Sequence, residues 1–163
     1  SPQRVGDTNS GCSDGYADTD GNGGLWYMDE VGDEGDRICN VRPSGAVEVV
    51  PLWFESGTSV IGCNSSSGVF VTVPYEPHDD DSYFPQVQLE WVCKRGGEWE
   101  RSALGDFPKD AKFSSDGSAR GLWAIAVDDE NDEQTLWKVD REGRLENMHS
   151  WPLPFRTTVM LSG

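Results

Sequence analysis

The sequence contains no run of about 18 apolar residues, so no helix of it is expected to span a bilayer. It opens at Ser1 with no Met and no basic-then-apolar leader, which reads as a mature or trimmed chain. Positive charge is scarce. Thirteen Lys and Arg against 29 Asp and Glu leave a formal net charge of −16. A surface that negative repels phosphate backbones and anionic lipid, so neither nucleic acid nor membrane insertion is expected. Histidine is limited to His78 and His149. The cysteines, Cys12, Cys39, Cys63 and Cys93, include no C-x-x-C pair, so a structural zinc site lacks ligands. No G-x-S-x-G, H-E-x-x-H or P-loop occurs, and His78 lies in the acidic loop Glu76 to Asp81. Carboxylate pairs are inevitable among 29 acids and single out no glycosidase. The expectation leans away from an enzyme.

Helical periodicity is absent as well. Nineteen Gly and nine Pro punctuate short runs rich in Val, Ile, Trp, Tyr and Phe, the pattern of strands. Three runs open alike, at Gly24-Leu25-Trp26, Gly68-Val69-Phe70 and Gly121-Leu122-Trp123. Each leads to a second run, containing Cys39, Cys93 or Trp137, that ends in glycine, any residue, an apolar residue and glutamate. Those turn glycines are Gly45, Gly97 and Gly143, where a tight hairpin needs positive φ. Opening and turn glycines are 21, 29 and 22 residues apart, the excess of the middle copy lying in the loop Pro77 to Pro85. A leading run at Ser59 to Gly62 and Ala111 to Phe113, and a fourth run after each turn, make four strands per copy. The first copy lacks a convincing leading strand, and Thr157 to Leu161 could supply it.

The expected fold is therefore one all-β domain of three degenerate four-stranded repeats, approximately 12–56, 57–107 and 108–157, with 157–163 a closing strand. A β-trefoil, a β-prism or three propeller-like blades would satisfy it, the blades needing a homo-oligomer or a longer chain to close a ring. An even set of cysteines suggests two disulfides and a secreted, extracellular protein, to which the sequon at Asn64 adds a glycosylation site. Cys12 and Cys63 precede the opening glycines of copies one and two. Cys39 and Cys93 lie in their second runs, offset by two and so on one strand face. The pairing expected is Cys12–Cys39 and Cys63–Cys93, each worth about 3 kcal/mol on the chain-entropy argument.

The sharpest local motif is Asp18-Thr19-Asp20-Gly21-Asn22-Gly23. Oxygen ligands at alternate positions beside glycine suit a hard cation such as Ca²⁺, with Asp29 at the twelfth position; the alternative is a solvated Asp/Asn/Gly turn. The stretch Tyr16 to Trp26 resembles the calcium loop of the FG-GAP and VCBS β-propeller repeats. That resemblance implies Asp18, Asp20, Asn22 and Asp29 as metal ligands. A fainter likeness to fungal fucose-specific lectins rests on Arg37-Ile38-Cys39 leading to Gly45-Ala46-Val47-Glu48, and implies Arg37 and Glu48 as sugar contacts, the glutamate displaced by one position. Seven tryptophans add stacking surface; Trp26 with Trp123 and Trp53 with Trp151 are expected in the core, while Trp91 and Trp99 are candidates for ligand binding. The function expected is an extracellular recognition module, glycan-binding and lectin-like, with structural calcium. A secreted protein–protein ligand, such as an effector or a β-trefoil hydrolase inhibitor, is the first alternative and a small carboxylate-dependent hydrolase the second.

Overall fold

The structure is a computed structural model describing residues 17–31, 33, 35–62, 65–75, 86–118, 121–128, 130–139 and 144–153. The described residues form twelve strands in three separate four-stranded antiparallel sheets and contain no α-helix. Sheet one is β1 (Ala17–Thr19), β2 (Leu25–Glu30), β3 (Asp36–Val41) and β4 (Val47–Val49). Sheet two is β5 (Ser59–Ile61), β6 (Gly68–Tyr75), β7 (Gln86–Arg95) and β8 (Glu98–Pro108). Sheet three is β9 (Lys112–Ser115), β10 (Leu122–Asp128), β11 (Glu133–Val139) and β12 (Leu145–Pro152). Each is a meander in chain order, as a propeller blade is, and among the described residues no sheet closes into a barrel. Three separate meanders fit propeller-like blades better than a trefoil.

The repeat is exact in register where it matters. Leu25, Val69 and Leu122 pair with Val41, Val92 and Val139, so each copy opens on an aliphatic residue across from valine. Gly45 and Gly97 have φ of 86° and 87°, as their hairpins require, and Gly96 at 59° completes a two-residue turn with both φ positive. The ladder to the outer strand slips at one repeat position, between Leu89 and Glu90 in sheet two and between Leu136 and Trp137 in sheet three. In sheet one the regular ladder stops at Cys39↔Val49, and the chain regains it only at the bridge Asp36↔Phe54. A shared irregularity there bends every outer strand at the same height.

Four expectations are corrected. The first copy has its own leading strand, because Ala17, Asp18 and Thr19 pair with Tyr27, Trp26 and Leu25; the first two residues of the supposed metal loop are thus strand. Cys39 and Cys93 are offset by three repeat positions, since Asn40 and Trp91 are the equivalent partners of Trp26 and Phe70. An odd offset puts the two sulfurs on opposite sheet faces. Both carry free thiols. Trp53 is 47% exposed, because it lies in the segment after β4 where the chain leaves its sheet. Cys12, Cys63, Asn64, His78, Gly143, the loop 77–85 and the closing strand 157–163 lie outside the described residues.

The core is the seam between neighbouring sheets. Sheet one turns Trp26, Met28 and Ile38 toward sheet two, where the Trp26 and Trp99 rings meet edge to face at 6.1 Å. The Trp26 Nε1–H donates to the Ser65 carbonyl at 2.8 Å. Sheet three turns Leu122, Ala124, Ala126 and Val139 toward sheet two, whose Phe107 meets Phe113 and Trp137 edge to face. The leading strands β1, β5 and β9 touch in succession, as inner strands of blades do around an axis. Burying one Val, Leu or Met contributes roughly 1.5–3 kcal/mol. An exposed ion pair contributes about 0–1 kcal/mol, so the seams rather than the surface charges hold the sheets together.

Candidate functional site

The residues singled out by sequence do not meet at one place. Asp18 Oδ2 accepts from Gly62 N at 2.9 Å and Oδ1 from Thr19 N at 2.8 Å, tying sheet one to sheet two. Asp20 is buried; its Oδ1 accepts from Asn22 N and Gly24 N, both at 2.8 Å, and its Oδ2 from Asn40 Nδ2 at 3.1 Å. Asp29 binds Arg37 at 2.8 Å. The loop is held as a turn by its own donors, and among the described residues no group of three or more His, Cys, Asp or Glu could hold a metal ion.

Arg37 and Glu48 lie on opposite faces of sheet one, since Arg37 pairs with Asp29 and Glu48 with Asn40. Asp29 holds the Arg37 guanidinium above its ordinary pKa by hydrogen bond and charge. Glu48 takes Arg42 and Lys94 at 3.2 and 3.1 Å. Trp91 is buried with its ring 4.7 Å from that of Phe70. Its indole occupies the space over Gly68, where a Cβ would lie 2.2 Å from the ring. Trp99 is half-buried against Trp26 with the Lys94 ammonium above it. Burial pushes the Cys39 thiol up, which keeps it protonated and unreactive.

The concave site lies elsewhere, between sheets two and three. A cleft of about 800 Å³ is lined by Gln86, Asp106, Phe107, Lys109, Thr135 and Trp137 among others. Two local features open it. Strands β7 and β8 run on to the pairs Gln88↔Asp106, Val87↔Phe107 and Gln86↔Pro108, beyond the short β3–β4 ladder of sheet one. Sheet three then faces this extension with Ala124 and Ala126, where sheet two has Val71 and Val73 at the equivalent positions. Small side chains on one wall and a longer opposite wall leave a gap. The mouth is bounded by the turn Pro108 to Ala111, closed by Ala111 N on the Pro108 carbonyl at 3.0 Å, and by the β10–β11 hairpin. Asp128 caps that hairpin, accepting from Glu130 N and Asn131 N and from the Asn131 amide, and these bonds hold its carboxyl below the usual range.

Aromatic carbon beside polar groups suits an amphipathic ligand of low molecular mass or one residue of a polymer. None of these residues was expected as a site from sequence; Trp137 figured there only as a member of the third copy's second run. The signal that would have found them is the Val-to-Ala change in the third opening run together with the extra length of the second copy. Compared with protein-family models, curated proteins and solved structures, the chain matches none.

Proposed function

We propose that the protein is an extracellular recognition module that binds glycan in the cleft between sheets two and three. The observation carrying this reading is the cleft itself, in which Phe107 and Trp137 offer apolar surface beside Gln86, Asp106 and Thr135. Sugars present apolar CH faces and a ring of hydroxyls, and such a pairing of aromatic carbon with hydrogen-bonding groups matches both. A scaffold of rigid sheets with loops and strand ends at the mouth is also how binding sites are commonly carried. The test is binding of the labelled protein across a broad glycan array, followed by titration of the best oligosaccharide. Gln86→Ala and Thr135→Val are expected to weaken that binding while leaving the melting temperature near wild type. Silence of the wild-type protein across the array would sink the reading.

A protein ligand is the second reading, supported by the exposed apolar side chains of Val47, Val49 and Trp53 on sheet one and the segment after it. Mutating these to serine would then abolish a stoichiometric complex and leave the cleft unaffected.

A further inference from the structure

The lining of the same cleft also bears on the charge of its ligand, an inference that rests on the glycan reading. Four acidic residues, Asp106, Asp110, Asp128 and Glu130, are among those lining the cleft, and among the described residues Lys109 is the one basic residue of the lining. Asp128 is committed to its own hairpin. Asp106, Asp110 and Glu130 make no ion pair or side-chain hydrogen bond among the described residues. The seam between sheets one and two is different. There Glu48 meets Arg42 and Lys94, and Glu55 and Glu90 both meet Arg101. Negative charge is therefore neutralised in one seam and left open in the other.

A concave wall of low dielectric focuses the field of such charges, and the net charge of −16 reinforces its sign. Anionic sugars are repelled, and a neutral sugar leaves the carboxylates uncompensated. An ammonium placed among them gains charge-assisted hydrogen bonds, and the Trp137 indole adds a π surface that favours a cation. We propose that the cleft selects glycans bearing free, protonated amino groups.

The test is calorimetric titration of the full chain at mildly acidic pH. Three probes of equal length are compared: a β-1,4-linked glucosamine oligomer, its fully N-acetylated form and the glucose oligomer. The free-amine oligomer is expected to bind about tenfold more tightly than the other two, with that advantage shrinking as NaCl rises from about 20 to about 200 mM. The double variant Asp106→Asn/Glu130→Gln is expected to lose most of the advantage. The control Glu98→Gln/Glu100→Gln removes the same charge away from the cleft and is expected to keep it. Equal binding of all three oligomers would overturn the amine selection and leave the glycan reading standing. Equal losses in the two double variants would assign binding to overall charge and overturn the site. Binding of a lysine-rich peptide with no binding of any oligomer would overturn both readings in favour of a protein ligand.

Discussion

Asp116 meets the Lys138 ammonium and the Ser118 N–H at the same repeat position where Asp20 meets Asn40 and Asn22. Burial works to raise the Asp116 pKa, but these donors outweigh it and hold the carboxyl at about 2. A depressed carboxylate stabilises the fold at pH above its ordinary value of 3.8, and that stability is lost as pH falls from there through about 2. Asp116→Asn is therefore expected to cost about 1 kcal/mol or less at neutral pH, solvent screening included, and nothing below pH of about 2. Melting curves of the two proteins across that acid range check it, and parallel curves would refute it. Arg101 is a stronger case. Its guanidinium binds Glu90, whose side chain is 8% exposed, and Glu55, and lies over the Phe54 ring at 4.4 Å. Arg101→Met strands a buried carboxylate and is expected to cost about 3 kcal/mol in urea denaturation, with Glu90→Gln added to it recovering part of the loss. At Asp18, Asp20 and Asn22 the hydrogen bonds already made lead us to expect no rise in melting temperature with millimolar calcium. A calcium-linked rise would instead assign that loop a metal.

At the level of strands and sheets, the glycines were readable for two reasons: the opening glycines Gly24, Gly68 and Gly121 make room for a neighbouring side chain, Asp20, Trp91 and Asp116 in turn, while the described turn glycines meet a backbone need. Gly45 and Gly97 take φ that a side chain resists, so their spacing exposed the hairpins directly. The faces were harder. A strand's side alternates with each residue, and placing Cys39 one step wrong relative to Cys93 inverted its neighbourhood. The leading strand β1 was missed because Ala17-Asp18-Thr19 has little β propensity and gains its place through pairing with Leu25 to Tyr27. The cleft was not readable for a related reason. It depends on how Ala126 of one sheet faces Phe107 of another, a relation between elements that no local pattern encodes. Ala126→Val restores the residue type that sheet two carries at this position. It is expected to raise stability by about 0.5–1 kcal/mol while reducing oligosaccharide affinity, as read by melting and titration. Unchanged affinity would place the ligand outside the cleft.

For the molecule as a whole, charge and connectivity matter most. The ion pairs that cross between sheets one and two are few and partly exposed, whereas a net charge of −16 repels itself over the entire surface. Self-repulsion outweighs the pairs, so raising NaCl from about 20 to about 300 mM is expected to increase the melting temperature by about 2–5 °C. A decrease would show that the ion pairs dominate instead. Connectivity has a different outcome. Among the described residues, every strand is bonded to the one made just before or just after it, and no sheet borrows a strand from another. Partners are therefore never far apart along the chain, and the ladders can zip up in order of synthesis as the polypeptide leaves the ribosome, without any strand waiting for a mate still to be translated.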